Sequence, residues 1–225
     1  AGHSLGEYSA LVCSGSLEFT DAVYLLNERG KAMQESVPLG KGSMIAVLGL
    51  NLKELENELK IFKKEIEGVC EIANDNATGQ IIISGEKSAV SLFQKSLKEK
   101  KIKSIPLKVS APFHCSLMKP AADVMRDKIS KIKFKDPSIS LIYNVTSEPL
   151  KETDKIEKLL VDQIFSTVKW RESILNMSKS GIENYIEIGP GKVLSGMVKR
   201  TIKNANCFSI NSIADIENLK NEFKK

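Results

Sequence analysis

The chain is predicted to be an α/β protein in which a larger core is interrupted by a small unit of strand, helix, strand, strand, helix, strand. Three observations carry this. The chain opens on Ala1-Gly2-His3-Ser4-Leu5-Gly6-Glu7, a Gly-x-Ser-x-Gly pattern running into a helix-forming stretch. Residues 42–107 switch between period-two and period-3.6 apolar patterning in a βαββαβ order. Beyond Ser116 a larger alternation of helices and strands resumes.

The elements follow in order. The stretch after Ser4 reads as a helix to about Ser14, and Thr20-Asp21 as the N-cap of a second helix through Glu35, with Arg29 on it. Residues 43–50 read as a strand. Leu52, Leu55, Leu59, Phe62 and Ile66 form one helical face, entered through Asn51-Leu52-Lys53-Glu54, a capping-box variant. Strands at 69–74 and 80–84, a helix placing Val90, Phe93 and Leu97 inward, and a strand at 102–107 complete the unit, which is the ferredoxin-like order. The larger unit resumes with a helix at 116–132, a buried strand at 139–145, helices near 154–165 and 170–180, a strand at 184–188 and a helix from Lys192. The predicted domains are therefore residues 1–41 with 108–225, and 42–107.

The opening pattern has a mechanical reason. A sharp strand-to-helix turn holds the serine in a strained conformation, and glycines two positions either side let neighbouring chain pass close by. Ser4 then projects at a helix N-terminus, where the N–H of Leu5 is available to an oxyanion. The pentapeptide alone also fits an ordinary Gly/Ser turn. A hydrolase-like core is the fold such an elbow belongs to, and the strand that should feed it has only three residues before Ser4, so the first part of the core is expected to be missing from this chain.

Only two histidines are present. His114 lies in the loop-like Ser110-Ala111-Pro112-Phe113-His114-Cys115, where a base for Ser4 is expected, since an unperturbed imidazole titrates near neutrality. His3 alternates to the opposite face from Ser4 in an extended approach and is the poorer base. A cleft between the two predicted units would bring Ser4 and His114 together.

Composition agrees with a soluble enzyme. The 225 residues, 42% hydrophobic, suffice for a sizeable core. Cys13, Cys70, Cys115 and Cys207 are scattered without a C-x-x-C pair, which argues against a zinc site and for reduced thiols in a cytoplasmic compartment. Cys115 reads as packing. No apolar run approaches the roughly 20 residues that span a bilayer, although a targeting peptide would lie ahead of the present start. The net charge of +5 comes without basic–aromatic interleaving, so nucleic acid is not an expected partner. Gly189-Pro190-Gly191 lacks phosphate-loop spacing and reads as a tight turn. Lys95, Lys98, Lys100, Lys101, Lys103 and Lys108 are either a solvated face or a surface for an anionic partner.

The segments Gly2-His3-Ser4-Leu5-Gly6-Glu7-Tyr8-Ser9-Ala10 and Pro112-Phe113-His114-Cys115-Ser116-Leu117-Met118-Lys119-Pro120-Ala121 together resemble the malonyl-CoA:acyl carrier protein transacylase family. Residues 28–34, 74–80 and 187–194 resemble further blocks of that family in its order, so the likeness spans essentially the whole chain.

The resemblance implies transfer of malonyl from malonyl-CoA to the thiol of acyl carrier protein through a malonyl-serine ester, for fatty acid biosynthesis, without a metal or tightly held cofactor. Ser4 and His114 are the implied dyad. Leu5 is the implied oxyanion donor, with a second donor on a glutamine-bearing loop of the missing region. Arg29 is implied to hold the malonyl carboxylate; read alone, it is a surface helix residue. Phe113 would crowd an α-methyl branch, favouring malonyl over methylmalonyl, or is simply a core aromatic. Gln163 is the implied source of the carbonyl that orients His114, though as a helix residue it could equally be exposed. His3, Asn74 and Asn76 are placed at the cleft edge, the asparagines being equally compatible with a plain turn. A monomer is expected. A serine thioesterase or hydrolase with water as acceptor, and an inactive fragment that only binds the carrier, remain as alternatives.

Overall fold

A computed structural model describes residues 1–150 and 153–223; residues 151, 152, 224 and 225 of the predicted core range lie outside the described residues. The chain forms two compact units, Ala1–Ser173 and Ile174–Lys225. Residues 42–107 fall inside the first of these, so the boundaries expected at 41/42 and 107/108 are not the ones that separate the compact units.

In the first unit, α1 (Leu5–Cys13) and α2 (Phe19–Glu35) precede β1 (Gly42–Leu48), α3 (Leu52–Phe62), β2 (Cys70–Ala77), β3 (Gln80–Glu86), α4 (Lys87–Glu99) and β4 (Lys103–Pro106). The four strands form one sheet in the order β2-β3-β1-β4, every neighbouring pair antiparallel. Alternation sorts the faces of the sheet. Ile45, Val47, Ile81 and Ile83 pack with Leu55, Leu59, Phe62, Val90, Phe93 and Leu97 from α3 and α4. Met44, Ala46, Ala73 and Ile82 face the other way, against Leu107 and Phe113. That second face is what ties the sheet to the loop bearing His114. The box at Asn51 forms as expected: Glu54 N–H donates to Asn51 Oδ1 at 3.0 Å, and Asn51 N–H donates to Glu54 Oε2 at 2.8 Å. Ile66 lies beyond the end of α3, so the expected helical face is one position too long.

After β4 a short 3₁₀ turn, Ser116–Met118, leads into α5 (Lys119–Ile129), with Pro120 in its first turn. The single helix expected over 116–132 is therefore divided and shorter. β5 (Leu141–Ile142) and β6 (Pro149–Leu150) pair antiparallel over two residues only. The longer strand expected at 139–145 stops there because its backbone goes elsewhere: Tyr143 C=O accepts from Ser147 N–H, and Asn144 N–H and C=O are taken by Glu7 and Lys169. α6 (Ile156–Phe165) follows. Tyr8, Leu11, Leu25, Met118, Met125, Tyr143, Leu160 and Ile164 form a core for α1, α2, α5 and α6. α2 starts before the expected Thr20-Asp21 cap, with Glu18 in extended conformation at its entry.

α7 (Trp170–Lys179) precedes the second unit's strands. There β7 (Asn184–Ile188) and β8 (Asn206–Ile210) run parallel, joined through α8 (Val193–Thr201), and α9 (Ile213–Phe223) follows. β8 and α9 lie beyond the last element expected from the sequence, the helix from Lys192. Gly189 and Gly191 have φ of 134° and 99°. Glu187 accepts from the N–H groups of Leu194 and Ser195, so its own carboxylate occupies the start of α8, in keeping with a turn and not a phosphate cradle.

Candidate active site

Ser4 sits at the N-cap of α1 with φ 50° and ψ −103°, outside the extended conformation that caps ordinarily adopt. His114 also has positive φ, 58°. Strained backbone at both residues is the kind of outlier that surrounding structure must hold in place. The tightness of the turn is visible at Gly2, where an added Cβ would lie 1.9 Å from Gly6 O.

Ser4 makes no cap with its side chain. Its Oγ instead lies 2.8 Å from His114 Nε2 and accepts from Arg29 Nη2 at 2.9 Å. The same Nη2 donates to Gln163 Oε1 at 3.0 Å. His114 Nδ1 lies 2.8 Å from Gln163 C=O, an acceptor only, so this nitrogen carries the proton and Nε2 is left to accept from Ser4. Gln163 Nε2 donates to Ser4 C=O at 3.0 Å. Gln163 thus touches the nucleophile's backbone, the arginine and the base. It is fully buried, not exposed.

Arg29 is buried as well. Its Nε has no partner, and no carboxylate of the described residues lies within ion-pairing distance of it. Tyr8 lies under the guanidinium at 5.9 Å. The buried Glu7 acts on the guanidinium through space but makes no ion pair with it, and a desolvated cation so weakly compensated favours the arrival of an anion. Burial, then the Arg29 charge, push the His114 pKa down to about 3, so the imidazole is neutral at physiological pH. Burial likewise lowers the Arg29 and His3 pKa values.

Around this centre, His3 Nε2 lies 2.8 Å from Asn76 Oδ1, and the ring meets Trp170 edge-on at 5.4 Å. Asn74 and Asn76 are buried on the end of β2, where bulges follow Ile72 and Asp75 and Asn74 bridges Val168 in parallel. Phe113 is half-buried between two apolar clusters. Leu5 is exposed, and its N–H is in the first turn of α1, where no intrahelical acceptor exists. The His114 loop is anchored by Glu71, whose carboxylate accepts from Ser116 N–H and Oγ–H, each at 2.8 Å. Cys115 is buried and donates to Pro112 C=O, and burial raises its pKa, so it stays a packed thiol.

Three features were not anticipated. Asn144 and Glu7, both buried, join the Ser4 turn through hydrogen bonds, and Trp170 backs His3. An open cavity of about 810 Å³, lined in part by Lys60, Lys63, Lys64 and Thr167, reaches His114. The lysines singled out between 95 and 108 are exposed, and Lys100 is paired with Glu58.

A serine at a strained turn into a helix, a neutral histidine within hydrogen-bond reach of it and a buried arginine aimed at the serine oxygen compose a candidate serine acyl-transfer centre. The chain belongs to the acyl transferase domain family, whose model matches residues 1–223. It is 42% identical over 218 residues to the malonyl CoA-acyl carrier protein transacylase of Bacillus subtilis, covering 96% of this chain and 68% of that protein. The crystal structure of the malonyl CoA-acyl carrier protein transacylase of Clostridium perfringens superposes with a TM-score of 0.94 at 39% identity, covering 99% of this chain and 70% of that one. A malonyl-transacylase solved in complex with its type II acyl-carrier protein matches with a TM-score of 0.92 at 38% identity, covering 97% of this chain and 71% of that one.

Proposed function

We propose that the chain transfers a malonyl group from malonyl-CoA to the phosphopantetheine thiol of acyl carrier protein, supplying extender units for fatty acid biosynthesis, through a malonyl ester of Ser4. The observation that carries this reading is Arg29: a buried guanidinium beside Ser4 that makes no ion pair with a carboxylate among the described residues. Its planar fork suits a carboxylate, and malonyl-CoA supplies one. An acetyl group would leave the cation unpaired, which disfavours it.

His114 takes the Ser4 proton on Nε2 as Oγ attacks the thioester carbon, and Leu5 N–H donates to the oxyanion. The tetrahedral intermediate collapses, the carbon–sulfur bond breaks, and His114 returns the proton to the departing coenzyme A thiolate. The carrier's thiol then gives its proton to His114 and attacks the ester carbon; the ester carbon–oxygen bond breaks, and His114 returns the proton to Ser4 Oγ. A bound malonyl carboxylate offsets the Arg29 charge that depresses His114, so the base strengthens when the matching substrate is present. The Gln163 carbonyl orients His114, while His3, Asn76 and Asn74 shape the edge of the site and Phe113 crowds an α-methyl branch. Lys60, Lys63 and Lys64 give the cavity at His114 a basic wall suited to coenzyme A phosphates. Protons and electron pairs balance among Ser4, His114 and the two thiols, so the route calls for no metal or tightly held cofactor. No helix of the described residues is long and apolar enough to cross a membrane. A cytoplasmic monomer is part of the proposal. So is a ferredoxin-like unit at 42–107, supported by its sheet order, within a hydrolase-like core.

Intact-mass spectrometry after mixing with malonyl-CoA tests the reading. A malonyl adduct is expected on the protein and absent from Ser4→Ala. Holo acyl carrier protein should collect the malonyl group, whereas free malonate would instead mark a hydrolase. Arg29→Ala should lose the preference for malonyl over acetyl by about 10²-fold, as expected when a charged hydrogen-bonding pair of a few kcal/mol is removed. An unchanged preference would sink the assignment of Arg29.

A further inference from the structure

The start of α1 carries the sequence of a capping box that does not close. Ser4-Leu5-Gly6-Glu7 has the Ser-x-x-Glu spacing in which the serine hydroxyl accepts from the third helical N–H, while the glutamate reaches back to the serine N–H. Neither bond is made. The Ser4 hydroxyl is engaged with His114 and Arg29. The Glu7 carboxylate accepts instead from the backbone N–H of Asn144, at 2.6 Å. Ser4 N–H, the group Glu7 would otherwise reach, donates to Asn144 Oδ1 at 2.7 Å. Asn144 is thus inserted between the two halves of the box.

The other end of the Asn144 amide completes the arrangement. Its Nδ2 donates to Gly2 C=O at 2.7 Å. One side-chain amide therefore pairs with the carbonyl of residue 2 and the N–H of residue 4. A neighbouring parallel strand makes the same pattern with its backbone, as Val168 does with Ala73 C=O and Asp75 N–H. The Asn144 amide substitutes for one strand residue at the approach to the elbow. Its own backbone is fixed on both sides, N–H to Glu7 and C=O from Lys169 N–H at 2.9 Å. All of this is buried: Asn144 is 0% and Glu7 2% exposed. The second Glu7 oxygen, Oε1, has no hydrogen-bond partner among the described residues, so the group is held in the interior through Oε2. Burial raises its pKa to about 7, and the bond from Asn144 N–H works against that shift.

We propose that Asn144, seated by Glu7, is a positioning residue of the catalytic centre: it holds Ser4 in the strained elbow conformation and keeps the serine hydroxyl out of the helix cap and in line with His114. Neither residue touches the reacting atoms. With the amide removed, Ser4 can relax to the extended N-cap conformation, in which its hydroxyl caps α1 and leaves the base. The inference rests on Ser4 being the nucleophile, and it holds whichever acyl group Ser4 accepts.

Two rates separate this inference from the malonyl assignment. One is labelling of Ser4 by a small sulfonyl fluoride, which reads serine reactivity without any carboxylate. The other is single-turnover acylation by malonyl-CoA. Asn144→Ala is expected to lower both by about 10²-fold, the scale of a misplacement of roughly 1 Å, with KM for malonyl-CoA within about threefold because Arg29 is untouched. Glu7→Gln, which keeps an acceptor for Asn144 N–H, should retain near-wild-type rates, and Glu7→Ala should not. Wild-type labelling by a folded Asn144→Ala protein would overturn the proposal. If that variant does not fold, the Glu7 pair decides, and equal labelling of Glu7→Gln and Glu7→Ala would overturn it. Labelling of the wild-type protein without a malonyl adduct would instead count against the substrate assignment, and the labelling rates of the variants would still judge Asn144.

Discussion

Two helices of the first unit begin on the same sequence logic and reach opposite outcomes. α3 starts with Asn51-x-x-Glu54 and closes its box with two local bonds, Asn51 having φ −81° and ψ 168°. α1 starts with Ser4-x-x-Glu7 and closes neither side-chain bond of the box. Its serine has φ 50°, and the Ser4 hydroxyl, the Ser4 N–H and Glu7 Oε2 are each engaged by a residue far away in sequence, while Glu7 N–H turns to Ser4 C=O at 3.1 Å. At α3 three-residue spacing suffices. At α1 the hydroxyl is engaged by His114 and Arg29 instead of the cap, and tertiary structure supplies the bonds. A helix start can therefore serve stability or chemistry with the same residues, and what decides is whether a third group is inserted between them.

The largest break in the comparison is at Gly2. An added Cβ would meet Gly6 O at 1.9 Å and Gly6 C at 2.0 Å, both backbone atoms that cannot rotate away. Gly2→Ala must open the elbow. It is expected to cost about 3 kcal/mol, at the upper end for overpacking, and to lower Ser4 acylation by about 10²-fold or more. Urea unfolding and sulfonyl fluoride labelling read the two effects separately. A stable variant with normal labelling would show that the close approach at Gly2 is not what shapes the nucleophile's turn.

How much of this was legible in the sequence follows the same division. The order of residues 42–107 was readable because each element satisfies itself locally: alternation in β1, the face Leu55, Leu59 and Phe62 on α3, and the box at Asn51. The meeting of Ser4 and His114 is legible because an elbow and a scarce residue type mark them. Arg29 and Gln163, read alone, were indistinguishable from surface helix residues, since their burial depends on contacts 134 residues apart in sequence. Only the family resemblance pointed to them. Asn144 had no local signal at all. It follows a short apolar stretch whose pattern predicts a longer strand, and its bonds to Gly2, Ser4 and Glu7 span some 140 residues. The same bonds are what end that strand early.

Titration sharpens the contrast next. Asn51 and Glu54 are exposed, whereas the groups around Ser4 are buried. Burial holds His114 neutral, its pKa lowered from 6.5 to about 3, so between those values the unfolded chain binds a proton that the folded one refuses. Stability from this group is complete above the unfolded value and is lost as pH falls below it. Glu7 runs the other way. Its pKa is raised from 4.5 to about 7 by burial, so its contribution is complete below 4.5 and falls as pH rises towards 7. The two oppose each other in the range they share. His114→Asn removes one while leaving an amide to donate to Gln163 C=O. On going from about pH 8 to about pH 5, the variant should gain about 2 kcal/mol relative to the wild-type protein. Denaturation curves at the two values measure it, and parallel responses would mean that His114 is not held neutral.

The smallest effect gives the cleanest separation of the two helix starts. Asn51→Ala removes the acceptor for Glu54 N–H and should cost about 1 kcal/mol, as N-cap deletions do. The Glu54 bond to the backbone of residue 51 does not require the asparagine side chain and should persist. Because Leu55, Leu59 and Phe62 still bury against the sheet, α3 should remain folded, and Ser4 labelling and acylation should match the wild-type rates. The comparison then has four corners: a cap lost at α3 changes stability alone, whereas Asn144→Ala changes reactivity beyond any effect on stability. If Asn51→Ala slowed Ser4 in proportion to its loss of stability, the two helix starts would be coupled through the sheet face that carries Met44, Ala46 and Phe113, and the division between local and tertiary capping would be one of degree.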